Sequence, residues 1–149
     1  MANLRSLVEK HYENVATANL EAEEEIFSPD VVTVEPAAGT LQGLAAFTAY
    51  EQGFHHAFPD GRLTLKSAVE SGNTIAAEGT FTGTHTGPLI GPAGTIPPTH
   101  RTLELPFADF FEVEGGRITH HRVYYDQVAF LRQLGLLPHP HQAEKEAIP

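Results

Sequence analysis

Apolar residues recur at helical spacing in the first third of this chain and then change to strict alternation. Leu4, Leu7, Val8, Tyr12 and Val15 fall on one face of a first helix, with His11 on the same stripe. Leu20 to Phe27 reads as a second, short, Glu-rich helix stopped by Ser28-Pro29-Asp30. Val31 to Glu35 is β-branched and strand-like, and Pro36-Ala-Ala-Gly39 ends it. A third helix follows Gly43, with Phe47, Tyr50, Phe54 and Phe58 on one face and Pro59-Asp60-Gly61 as its stop. From here the period is two. Leu63, Leu65 and Val69 share one face of a strand; Ile75, Ala77, Gly79, Phe81, Gly83 and His85 share a face of the next. The third long strand puts Leu103, Leu105, Phe107, Asp109, Phe111 and Val113 on one side, and a last strand runs from Arg117 to about Tyr125. Asp126 suits the N-cap of a closing helix with Val128, Leu131 and Leu134 inward and Gly135 as its stop. Helices followed by an antiparallel meander predict an α+β fold, with the helices on the concave apolar face of a curved sheet.

Composition narrows the field. The 149 residues make one domain with a core of its own, expected over 1–138, and the Pro-rich tail 139–149 reads as disordered. No cysteine is present, so disulfides and thiolate metal sites are excluded. A net charge of −10 repels phosphate backbones and anionic lipid surfaces, which argues against nucleic acid and membrane partners. Met1-Ala-Asn-Leu-Arg5 lacks the apolar run of a signal peptide, and a cytoplasmic location is expected. The nine histidines carry no ligand spacing such as HExxH, and the adjacent pairs His55-His56 and His120-His121 diverge on a helix or a strand. No metal site is expected.

Asp109 is the conspicuous residue, a lone carboxylate among apolar neighbours of the same parity. Burial disfavours its charged form, so it needs either a partner or a function as general acid/base. A carboxyl merely satisfied by backbone amides or an arginine is the bland alternative. Its neighbour depends on the turn. A two-residue Gly115-Gly116 loop puts Asp109 opposite Arg122, whereas a three-residue Glu114-Gly115-Gly116 loop with a bulge puts it opposite His121. The second is preferred, because it keeps the guanidinium in water and turns Val123 and Tyr125 inward. Asp109 and His121 then form a proton-sharing dyad. Tyr12 and Tyr125 lie on inward stripes as phenol donors or simple rim residues, and Glu35 is either a second carboxylate or solvated. His85, beside the long Gly/Pro loop to Thr99, is a candidate ligand contact, with that loop as part of the pocket rim. Phe54, Phe107 and Val123 complete the expected lining.

Several of these segments together resemble the SnoaL-like polyketide cyclase branch of the NTF2-like superfamily. The matching segments are Ser28-Pro-Asp30, Phe58-Pro-Asp60, Gly83-Thr-His-Thr-Gly87, Pro97-Pro-Thr99, Asp109-Phe-Phe-Glu-Val-Glu-Gly-Gly-Arg-Ile118, His121 and Gln133-Leu-Gly135. The resemblance implies a conical α+β half-barrel, usually homodimeric, with a hydrophobic cavity and no cofactor. Its cyclases close a ring by an intramolecular aldol step, using an aspartate two residues after the family histidine. That histidine resembles His121, and the aspartate's place is held here by Val123, which cannot move a proton. Asp109 also resembles the oxyanion-hole aspartate of ketosteroid isomerase.

Three functions follow as expectations. The first is a cofactor-independent acid/base enzyme acting on a small apolar carbonyl compound, by cyclisation or isomerisation, with Asp109 and His121 moving the proton. Tyr12 or His85 would stabilise the enolate; epoxide opening or hydration suits the same residues. The second is a non-catalytic small-molecule binding or accessory protein, and the third an interaction module using the outer sheet face.

Overall fold

The computed structural model describes residues 3–91 and 94–137 and has the expected α+β cone. Helix α1 (Leu4–Thr17) begins where the Asn3 side chain accepts from the Ser6 amide, and it ends at Ala18 in a left-handed conformation. A 3-10 turn (Leu20–Glu25) takes the place of the expected second helix. Strand β1 (Phe27–Glu35) starts immediately after it. Ser28, Pro29 and Asp30 therefore lie inside a strand rather than terminating a helix, at a register break between Phe27 and Val32. Pro29 is tolerated there because such an irregularity leaves a ladder position unpaired. A short β2 (Gly39–Gln42), not foreseen from the sequence, pairs back on β1 before α2 (Leu44–Ala57). Four strands follow: β3 (Arg62–Ser71), β4 (Thr74–Thr84), and the small ribbon β5 (Leu89–Gly91) with β6 (Gly94–Ile96). The chain closes with β7 (Thr102–Glu114), β8 (Arg117–Tyr125) and α3 (Gln127–Gln133).

The main sheet has the order β2-β1-β8-β7-β4-β3. β3, β4, β7 and β8 form the anticipated meander, but β1 joins it parallel to β8, a pairing invisible to local periodicity. That pairing sets the N-terminal strand against the last one and closes the cone around a core that includes Phe27, Phe47, Phe58, Phe111, Leu103 and Ile118. Alternation along β4 and β7 holds: every inward residue from Ile75 to Gly83 and from Leu103 to Val113 is buried. It fails in β3, where a bulge between Leu65 and Ser67 reverses the parity and leaves Val69 71% exposed. Leu134, the C-cap of α3, is buried as expected, but Phe130 takes the inward place expected of Val128, which is 50% exposed. Asp126 does cap that helix, accepting from the Ala129 amide at 3.0 Å. The tail 139–149 lies outside the described residues. No described helix is long and apolar enough to cross a membrane.

Candidate active site

α1, α2 and the inner sheet face enclose a cavity of about 120 Å³. Its wall is aromatic and aliphatic, including Phe54, Phe81, Phe107, Val123 and Tyr125, with Asp109, His121, His11 and Glu51 as polar members. Phe54, Phe107, Val123 and Tyr125 are thus brought together as expected.

Asp109 and His121 also meet, though through a register neither turn option described. Gly115-Gly116 is a two-residue loop, both residues at positive φ, between the paired Glu114 and Arg117. A bulge between Glu112 and Val113 on β7 and their β8 partners then shifts the pairing by one. Asp109 consequently lies opposite Val123, and His121 opposite Phe111. Residues 109 and 121 are diagonal neighbours on the inner face, still within side-chain reach. His121 Nε2 stands 3.3 Å from Asp109 Oδ1, while the Tyr12 hydroxyl donates to Oδ2 at 2.8 Å. All three side chains are buried. Tyr12 belongs to the Asp109 hydrogen-bond set and does not line the cavity, contrary to the expected ligand contact. Burial, with the Asp109 charge beside it, raises its hydroxyl far above the ordinary phenol range and keeps it a donor.

His121 stacks on Phe111 with ring centroids 4.5 Å apart and planes 9° apart. Burial lowers its pKa below the usual imidazole value, against the contrary pull of Asp109. A neutral ring that donates from Nε2 to Asp109 has its lone pair on Nδ1, and that atom is buried without a hydrogen-bond partner.

Other candidates fall elsewhere. His85 is fully buried, stacks on Phe58 at 5.2 Å and accepts at Nδ1 from the Thr99 amide at 3.2 Å. It ties β4 to the following loop and does not line the cavity. Nor do the described residues of that loop, which fold into the β5–β6 ribbon instead of a rim. Glu35 is 1% exposed rather than solvated: it accepts from Tyr125 and from the amides of Ala37 and Ala38, bracing the β1–β2 turn. Burial and this carboxylate raise the Tyr125 hydroxyl well above its ordinary range.

A second polar group escaped sequence reasoning. His11 Nδ1 lies 2.7 Å from Glu23 Oε2 and 3.9 Å from Glu51 Oε2, and all three residues are buried. Burial opposes a charge on His11, but Glu23 and Glu51 outweigh it and raise its pKa to about 9. The ligand-type atoms of the three lie within 4.8 Å of one another, a set of donors able in principle to hold a cation. Glu51 could have been found, since it shares the helical stripe of Phe47, Phe54 and Phe58; Glu23, one of several glutamates in its turn, carries no such signal.

The sequence profile of SnoaL-like polyketide cyclases matches residues 6–134. The chain belongs to this family. IdmH of Streptomyces antibioticus, a candidate polyketide cyclase, is 29% identical, with a TM-score of 0.75 over 88% of this chain and 97% of that one. TsrD of Streptomyces laurentii is 25% identical, with a TM-score of 0.78 over 90% and 96%. A protein of ketosteroid isomerase-like fold from Catenulispora acidiphila DSM 44928 is similar in fold, at 21% identity and a TM-score of 0.73 over 88% and 93%. Among curated proteins none matches. This SnoaL-like chain thus has the family's cone and cavity, with Val123 in the wall directly opposite Asp109.

Proposed function

We propose that this SnoaL-like protein is a cofactor-independent acid/base enzyme for a small apolar carbonyl compound of polyketide type. Cyclisation and isomerisation both begin with removal of a proton next to a carbonyl. The observation that carries the reading is the unpartnered, buried Nδ1 of neutral His121, a residue that lines an aromatic-walled cavity. Nδ1 takes the proton; Asp109 holds the tautomer and faces the imidazolium that forms; Tyr12 fixes Asp109. The aspartate missing at Val123 is then unnecessary, since base and orienting carboxylate occupy β8 and β7. The partner is a small apolar ligand, and a second copy of the chain is expected against the outer sheet face. There Arg122 lies over the Phe110 ring at 5.3 Å, beside the half-exposed Tyr124.

The test is α-proton exchange of acetophenone in D2O, followed by NMR. A positioned general base contributes about 10²–10⁴-fold, so His121→Ala and Asp109→Asn are expected to slow exchange by at least about 10². Because burial depresses the His121 pKa, its basic form persists as pH falls below the ordinary imidazole value of 6.5, and exchange should persist with it. Exchange by Asp109→Asn at the wild-type rate would sink the mechanism. Specific retention of ligands without any exchange would favour the binding-protein reading, which the valine at position 123 keeps in view.

A further inference from the structure

The acid/base mechanism leaves a second carboxylate–histidine cluster on the cavity wall unused. The second centres on Glu51 of α2, which faces the cavity together with His11 of α1. The Glu51 side chain is 6% exposed, and neither of its oxygens has a hydrogen-bonding donor. His11 Nδ1 is too far away at 3.9 Å, because Glu23 engages it at 2.7 Å. Glu23 itself is satisfied on both oxygens, Oε2 by His11 and Oε1 by Asn14 Nδ2 at 2.7 Å.

One imidazolium cannot neutralise two carboxylates buried at this spacing. Full ionisation would leave a net negative charge away from water, which is costly. The state that removes it has Glu23 ionised, His11 protonated and Glu51 neutral. The titration directions agree. Burial, opposed by His11 and reinforced by the charge of Glu23, pushes Glu51 up to about 9, whereas His11 and a hydrogen bond from Glu51 override burial to hold Glu23 below the usual carboxylate range, so the Glu51 proton has Glu23 as its resting acceptor. Two carboxyls pushed apart in this way divide into an acid and a counter-ion.

We propose that Glu51 is a neutral carboxylic acid whose hydrogen bond passes from Glu23 to the carbonyl oxygen of a ketone bound in the cavity, with His11 and Glu23 as its positioning residues. Its placement suits that task. The α-hydrogen and the carbonyl oxygen of one ketone are close neighbours, so base and acid must adjoin. The His11 and His121 rings meet edge-on at 5.7 Å, which sets the Glu51 cluster beside the Asp109–His121 pair. When His121 Nδ1 takes the α-proton, the C–H electron pair moves into the carbonyl and leaves an enolate whose oxygen accepts from Glu51. Return of the proton from His121 regenerates the ketone, and no co-reactant is needed. For turnover the proposal rests on the acid/base reading; for the protonation of Glu51 and its contact with a ketone it does not.

Two measurements decide it. In protein labelled with 13C at glutamate Cδ, one resonance is expected at the neutral-acid position at pH 7, absent in Glu51→Gln. With carbonyl-13C acetophenone bound, its carbonyl stretch should lie at lower frequency in wild type than in Glu51→Gln. Asp109→Asn should keep that shift while losing α-proton exchange, so the two readings fail separately. Glu51→Gln should also slow exchange by at least about tenfold, less than the 10²–10³ of a lost oxyanion donor because Gln still offers an N–H. If Glu51→Gln does not fold, Glu23→Gln serves, since freeing His11 to pair with Glu51 should convert the neutral resonance to an ionised one. A Glu51 resonance that titrates in the ordinary carboxylate range overturns the proposal whether or not acetophenone binds. So does an unchanged ketone frequency in Glu51→Gln, or a stoichiometric divalent metal that is lost in that variant and marks the three groups as its ligands.

Discussion

Tyr12, Asp109 and His121 show how a buried carboxylate is kept in place. Each Asp109 oxygen has one side-chain partner, from α1 and from β8, so the group is satisfied without an arginine. Tyr12→Phe removes the hydroxyl and little else, leaving Oδ2 buried without that donor. An unsatisfied buried acceptor costs about 1–3 kcal/mol, and more when charged. Chemical denaturation of Tyr12→Phe should show a loss of at least that size with an unchanged m-value. A loss below about 0.5 kcal/mol would mean that water or another group takes over the oxygen. The same residues mark what was legible. Parity alone placed Asp109 on the inner face, because alternation along β7 has no interruption. His85 was misassigned because its parity is inward at the far end of β4, where the neighbour is Phe58 and not the cavity.

At the scale of elements, bulges decide more than periodicity does. The slip in β8 brings His121 diagonally to Asp109, and the slip in β3 turns Val69 out to solvent. The β3 slip also carries the Thr64 carbonyl toward Gly79. A Cβ at Gly79 would meet that oxygen at 2.2 Å and the Phe107 ring at 3.1 Å. The obstacle is backbone, so it cannot rotate away. Gly79→Ala is therefore expected to destabilise the protein by about 1–3 kcal/mol, the usual range for overpacking, and to lower the thermal midpoint. An unchanged midpoint would show that β3 and β4 can separate locally without cost. Neither bulge has a sequence signature here. Lys66 and Thr119 are ordinary strand residues, and the extra residue is absorbed where neighbouring strands must twist to close the cone.

Across the whole molecule, the sheet separates two surfaces. The inner one is filled by helices and cavity, while the outer one exposes Tyr124, with the half-buried Phe110 and Arg122 beside it. Arg122 also pairs with Glu112 at 2.7 Å, so its charge is partly matched within the chain and the aromatic patch is available to a second copy. Light scattering is expected to give the mass of two chains, and Phe110→Glu to give that of one without changing the thermal midpoint of a diluted sample. A monomer in the wild type at every concentration would remove the dimer from the account.

Local order needs only the spacing of apolar residues, and that much the chain determined by itself. Its helices α1 and α2, the inward faces of β4 and β7 and the inner position of Asp109 all follow from periods of 3.6 and two, and the N-cap at Asp126 from the capping chemistry of its side chain. The resemblance to the family was carried separately, by motifs spread from Ser28 to Gly135. Tertiary structure decided the rest. Pairing β1 with β8, setting the register of β8 and gathering His11, Glu23 and Glu51 from three elements all involve residues far apart in the chain. Their positions follow from strand twist, bulges and the burial of charge, which no local pattern encodes.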